Sequence, residues 1–264
     1  MELNGPEASA AAQLPSTYAA LAPFRDYFRG GLPVLMYHKL GPRPPGVRLK
    51  GMYVGEKLFA RQLAELRQAG YRACDFDALA AGAPAQDQRI GISFDDGYVN
   101  VLRHSLEPLA QHGFQALQYI VADNIGGGND WDLPAGEAYE PLMDRAQIGE
   151  WLAAGHLIGS HSRSHARLPE LSPQQAREEI FSSKKKLEDL FGLPILHFCY
   201  PYGLWDARVR DLVIEAGYRT ATTTQFGLND ATTSPFELRR IMARYPSWGL
   251  RGLRQRLFGH RAAR

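Results

Sequence analysis

Seven short apolar runs punctuate this chain, and the stretches between them read as amphipathic helices. The runs are Pro33–Tyr37, Arg89–Phe94, Ala116–Val121, His156–Ser160, Ile195–Tyr200, Tyr218–Thr223 and Leu238–Ala243. Each has the length of a buried strand and is bounded by turn residues. Between them, Lys57–Ala69 places Phe59, Leu63 and Leu66 on one face, with Gly70 as a stop. After Leu171, Ser172 is a cap, Pro173 suits the first helical position and Gln175 completes a capping box. Val99–Gln111, Arg145–Ala154 and Ala207–Ala216 read as further helices. Strands alternating with helices imply an α/β fold with a mainly parallel sheet of about seven strands. A closed or nearly closed barrel of that kind carries its active site at the C-terminal ends of its strands.

A chain of 264 residues, 45% of them hydrophobic, buries a sizeable core without disulfides or a structural metal. Any metal is therefore expected to serve chemistry. The net charge of +2 is too mild to imply a nucleic-acid partner. Cys74 and Cys199 read as buried free thiols, and two cysteines exclude a Cys-rich metal site. The expected organisation is a mobile lead-in at 1–31, rich in Ala, Pro and small polar residues, one domain at 32–245, and a basic amphipathic segment at 246–264. From Arg244 to Arg264 there are six arginines and no acid, interleaved with Trp248, Leu250, Leu253, Leu257 and Phe258. That pattern suits peripheral contact with a membrane surface, or a terminal helix packed on the barrel. The N-terminus lacks the basic and apolar regions of a secretory signal, and no apolar run is long enough to span a bilayer. As written the chain is expected in the cytoplasm, at the inner membrane surface if the tail binds lipid, and exported only if a signal has been removed.

Chemistry gathers where the apolar runs end. Asp95 and Asp96 stand together before Gly97, which permits a sharp bend. Adjacent carboxylates resist joint ionisation unless a cation is near, so a metal ligand beside a general base is one reading. Asp-Asp-Gly is also good turn chemistry. His161 and His165, four apart after another run, are able to share a metal, although such a spacing is common by chance. Tyr200-Pro201-Tyr202-Gly203 forms a tight turn that either presents a backbone N–H to an oxyanion or simply joins strand to helix. His38 ends the first run. Parallel strand ends converge on one face, so these residues should surround one pocket. Two histidines and one aspartate leave an open position on a tetrahedral metal, and the other aspartate remains free as a base.

SFDDGY (93–98) resembles the first motif of the polysaccharide deacetylase (NodB-homology) family, GSHSRSH (159–165) its second, and CYPYG (199–203) its third. PVLMYHKLG, LFARQLAELRQAGYRA and VIEAGYRTATTT also resemble its exopolysaccharide-deacetylase branch, so the likeness spans roughly 33–243. It implies a distorted (β/α) barrel of about seven parallel strands and hydrolysis of N-acetyl groups on the amino sugars of a glycan. It also implies a divalent metal, with Zn2+ suiting the donor set. Carried over, Asp95 is the base, Asp96, His161 and His165 are the metal ligands, and the Tyr202 N–H helps hold the oxyanion.

Two features depart from the family pattern. Cys199 stands where many members carry an arginine that orients the base, and Arg239 or Arg240 on the last run is the candidate replacement. No late L-x-H motif follows Leu238, so the general acid is unassigned and His38 is the pocket residue of interest, as acid, substrate contact or structural support. His104, His112, His156 and His197 look incidental, and His260 lies in the tail. Trp131 and Asp132, in the long connection Asp123–Asp144, are candidates for lining a sugar subsite or for anchoring the loop. Competing functions are an O-acetyl esterase, a cyclic-amide hydrolase, or an inactive glycan-binding relative. The oligomeric state is not legible in the sequence.

Overall fold

The computed structural model describes residues 14–77 and 88–245. All seven apolar runs contribute to one parallel sheet. Its strands are β1 (Val34–Tyr37), β5 (Arg89–Phe94), β6 (Leu117–Ile120), β7 (Leu157–Ser160), β8 (His197–Cys199), β9 (Thr220–Thr222) and β10 (Ile241–Met242), in the order β10-β1-β5-β6-β7-β8-β9. Three short strands fell outside the expectation. β4 (Arg72–Ala73) pairs with the start of β5, and β2 (Lys39–Leu40) pairs with β3 (Tyr53–Val54) beside it. Leu238 bridges Thr222 of β9, while Ile241 and Met242 pair with Leu35 and Met36 of β1. Residues 238–242 therefore touch both edges of the sheet and curl it into a distorted barrel.

The five expected helices are present as α1 (Glu56–Gln68), α2 (Val99–His112), α3 (Arg145–Ala153), α4 (Pro173–Phe191) and α5 (Ala207–Glu215). The Ser172/Gln175 capping box forms as the sequence predicts, and Asp144 with Gln147 makes a second one at α3. Strand alternation sorts side chains into two layers. Leu35, Tyr37, Ile92 and Phe94 pack with Phe59, Leu63 and Leu66 of α1, while Val34, Leu117, Tyr119, Cys199 and Leu238 form a separate cluster on the other face. A Cβ on Gly159 would meet the Tyr119 ring at 2.7 Å, so glycine makes room for that ring.

The N-terminal segment differs from the expected lead-in. Over 14–31 it is part of the packed body: Tyr18, Phe24 and Phe28 are buried against one another, and the Tyr18 N–H donates to the Met242 carbonyl at 2.8 Å. A few aromatic anchors decide docking, and an average over Ala and Pro conceals them. Residues 1–13 and the basic segment 246–264 lie outside the described residues. No helix among the described residues is long and apolar enough to cross a membrane. Both cysteines are free and buried, as expected.

Candidate active site

The ends of β1, β5, β7, β8 and the segment before β10 supply the site. Asp95 and Asp96 follow β5, His161 and His165 follow β7, Tyr202 follows β8, and His38 follows β1. Among the described residues five non-glycine positions have positive φ, and four are here: Asp96 (73°), Ser162 (64°), His165 (63°) and Tyr202 (59°). Each such conformation costs about 1 kcal/mol or more, and persists only where surrounding contacts enforce it.

Those contacts are visible. Glu179 of α4 accepts from the Arg163 N–H (3.0 Å), the Ser164 N–H (2.9 Å) and the Ser164 hydroxyl (2.7 Å). The Ser162 hydroxyl oxygen accepts from the His165 N–H at 3.0 Å. The loop between the two histidines is thus pinned from within and from the helix behind it. Glu179 carries no motif signal; only its place on the inner face of α4 brings it to the loop.

Asp96, His161 and His165 form a buried cluster with one donor atom from each within 4.8 Å of the others. Asp96 Oδ1 faces His161 Nε2 at 3.3 Å and His165 Nε2 at 3.4 Å, yet it is buried without a hydrogen-bond partner among the described residues. His161 Nδ1 lies 2.8 Å from the Cys199 carbonyl, which only accepts, so Nδ1 carries a proton and Nε2 is the nitrogen turned to Asp96. His165 is oriented by packing: Trp131 stacks on it at 4.4 Å, and Tyr202 meets it edge-on at 4.5 Å. An orphaned carboxylate oxygen facing two imidazole nitrogens fits a divalent cation.

Asp95 has a different partner. Arg240 Nη1 donates to Oδ1 at 2.7 Å and Nη2 to Oδ2 at 2.8 Å. The same guanidinium donates to Ser93 Oγ, the Thr223 carbonyl and Cys199 Sγ, at 3.2, 2.8 and 3.2 Å, so all five of its N–H groups are engaged. Burial alone would raise the Asp95 carboxyl, but Arg240 together with His38 and His161 outweighs it and holds the group below its ordinary value. Asp95 also sits near His161 and Cys199. That second cluster does not fit a cation, because the guanidinium already occupies it. Of the two arginines left open by the sequence, Arg240 is therefore at the site and Arg239 is exposed. Ser93 and Gln118, whose Nε2 donates to the Asp95 carbonyl at 3.1 Å, were missed by sequence reasoning. Neither stands out from its strand before the register is known.

His38 Nε2 is 3.6 Å from Asp95 Oδ2, with its side chain 12% exposed. Burial lowers its pKa, and the Asp95 charge only partly opposes this. Trp131 covers His165 while Asp132 accepts from the Tyr98 hydroxyl at 3.4 Å, so the long loop touches the site directly. The remaining described histidines lie elsewhere: His104 pairs with Glu56, His112 ends α2, His156 packs on Trp151, and His197 bonds Thr220.

With this geometry established, the family model for polysaccharide deacetylases matches residues 82–221, more than half of the chain. The chain belongs to the polysaccharide deacetylase family. Its family relatives include YxkH of Bacillus subtilis, itself named only provisionally as a polysaccharide deacetylase, which is 25% identical over 215 residues. That match covers 80% of this chain and 70% of the relative. The chitooligosaccharide deacetylase of Azorhizobium caulinodans is 33% identical over 142 residues, or 53% of this chain and 60% of that protein. Among solved structures, the Streptococcus pyogenes deacetylase PplD, determined with acetate, superposes with a TM-score of 0.70 at 21% identity. It covers 85% of this chain and 97% of its own, a likeness of fold.

Proposed function

We propose that this polysaccharide deacetylase is a metal-dependent hydrolase that removes N-acetyl groups from amino-sugar residues of a polysaccharide or glycan precursor. The observation that carries this reading is the separation of two neighbouring carboxylates into two roles: Asp95 is clamped by Arg240, and Asp96 faces two imidazole nitrogens. The names of the relatives, among them a chitooligosaccharide deacetylase and peptidoglycan N-acetylglucosamine deacetylases, support the N-acetyl group as the target.

Asp96, His161 and His165 would hold the metal, and Zn2+ suits two nitrogens and one oxygen. When bound, such an ion acidifies water and polarises the acetamide carbonyl. Asp95, ionised through Arg240, takes the proton of the attacking water. The new C–O bond leaves a tetrahedral oxyanion, which the Tyr202 N–H helps to hold. The C–N bond then breaks, and the proton held at Asp95 must reach the leaving amine. His38, beside Asp95 Oδ2, is the side chain placed to relay it. Acetate and the free amine are the products.

The test is acetate release from N-acetylglucosamine oligomers and from acetylated xylan, with metal-free, Zn2+-loaded and Asp95→Asn protein in parallel. The reading predicts acetate from the amino-sugar oligomers only, dependent on metal and on Asp95. Acetate from xylan alone would make the chain an O-acetyl esterase. No metal uptake and no acetate from either would assign it to glycan binding.

A further inference from the structure

Lys39 is a lysine where none is expected. It follows His38 in β2, and only 1% of its surface is exposed. A buried ammonium is costly unless its charge is compensated. Among the described residues it has no carboxylate partner, and it meets two aromatic faces instead. The ammonium lies 5.1 Å from the Tyr53 ring centroid and 4.6 Å from that of Tyr98. Both distances are within the range of cation–π attraction.

Both phenols point their hydroxyls at carboxylates of one loop. Tyr53 donates to Glu140 Oε1 at 2.8 Å, and Tyr98 donates to Asp132 Oδ2 at 3.4 Å. The loop is tied internally by Asn129, whose Nδ2 donates to Asp132 Oδ2 and whose Oδ1 accepts from the Glu140 N–H. A circuit closes through the backbone: the Leu40 N–H donates to Asn100 Oδ1, and Asn100 Nδ2 donates to Glu140 Oε2. Trp131, next to Asp132, is the residue stacked on His165. A cation over a ring face withdraws π density, which makes the phenolic hydrogen a better donor. Charge on Lys39 therefore strengthens both phenol–carboxylate bonds without touching either carboxylate.

We propose that Lys39 is a positioning residue of this site: its caged ammonium holds Tyr53 and Tyr98 so that their hydroxyls keep residues 129–140 seated, with Trp131 against His165. It rests on the proposed deacetylase reading for its consequence, since the loop then governs metal retention and substrate capture. The seating itself is independent of activity.

Lys39→Met keeps the length and removes the charge; Lys39→Arg keeps a cation. Hydrogen exchange of residues 129–140 in the full-length, metal-free protein reads the seating. Lys39→Met is expected to speed exchange there about tenfold. It should weaken Zn2+ affinity, by chelator competition, about tenfold and raise KM more than it lowers kcat. Lys39→Arg should recover most of each effect. Wild-type exchange and Zn2+ affinity in Lys39→Met, or no recovery in Lys39→Arg, overturns the proposal. If Lys39→Met does not fold, Tyr53→Phe removes only the hydroxyl to Glu140 and must loosen the same residues; unchanged exchange in that variant also overturns it. A wild-type protein that releases no acetate overturns the functional reading and leaves the exchange result to judge Lys39 by itself.

Discussion

Arg240 holds both carboxylate oxygens of Asp95, at 2.7 and 2.8 Å, across 145 positions of sequence. This contact brings to Asp95, from the segment before β10, the guanidinium that the family pattern carries at position 199. Cys199 is not a gap in that arrangement, because its sulfur accepts one of the Arg240 N–H groups. Arg240→Ala leaves a buried carboxylate without its counter-charge, with an expected cost of about 3–5 kcal/mol in stability. Arg240→Lys, which has no bidentate fork, should fold but lose about a hundredfold in kcat. Arg239→Ala should match wild type in steady-state kinetics and thermal melting.

The two neighbouring aspartates should fail differently. Asp95→Asn should retain bound Zn2+ and lose about a thousandfold in kcat, as expected for removal of a general base. Asp96→Asn should lose the metal itself. Metal content after dialysis, measured beside acetate release, separates the two. Equal metal loss in both variants would contradict the division of roles.

Tyr202 is expected to act through its backbone. Tyr202→Phe should keep kcat within about twofold of wild type, because the N–H proposed to hold the oxyanion is unchanged. Tyr202→Gly relieves a left-handed conformation at φ 59°, and by that effect alone should stabilise the fold by about 0.5–1 kcal/mol. It also strips an aromatic edge from His165, so KM or metal affinity should worsen even where the melting temperature holds.

His197 predicts acid sensitivity of the fold, separate from catalysis. Burial lowers its pKa from 6.5 to about 4, while Nδ1 bonds Thr220 Oγ1 at 2.9 Å. The unfolded imidazole takes a proton below about 6.5 and the folded one resists it. Acid therefore favours unfolding: this contribution is complete above that pH and is lost as pH falls toward 4. The loss should reach about 2–3 kcal/mol at the acid end of the window. Urea midpoints at pH 7.5 and 4.5 should differ less in His197→Asn than in wild type.

Much of the candidate site was legible because its residues cluster in short motifs at the ends of apolar runs. The rule that parallel strand ends converge gathers Asp95, Asp96, His161, His165 and Tyr202, and the resemblance to the deacetylase motifs gives them roles. Lys39 and Glu179 behave otherwise, and Trp131 was legible only as a loop aromatic open to two roles. Each acts through contacts with residues far away in sequence, and each looks locally like a surface lysine, a helical glutamate or a loop aromatic. The docked segment at 14–31 was obscured for a related reason, since Tyr18, Phe24 and Phe28 matter only once a surface exists to receive them.

The sequence by itself determined the alternation of strands and helices, the parallel sheet and the motif residues, because hydrophobic periodicity and turn chemistry are local. It also narrowed the missing guanidinium to Arg239 or Arg240. Choosing between them was beyond it. Adjacent residues of a strand point to opposite faces, so the choice depends on which phase the last segment takes. That phase comes from the register of Ile241 against Leu35 and of Leu238 against Thr222. Only the assembled barrel imposes that register, turning Arg240 inward to Asp95 and leaving Arg239 in solvent.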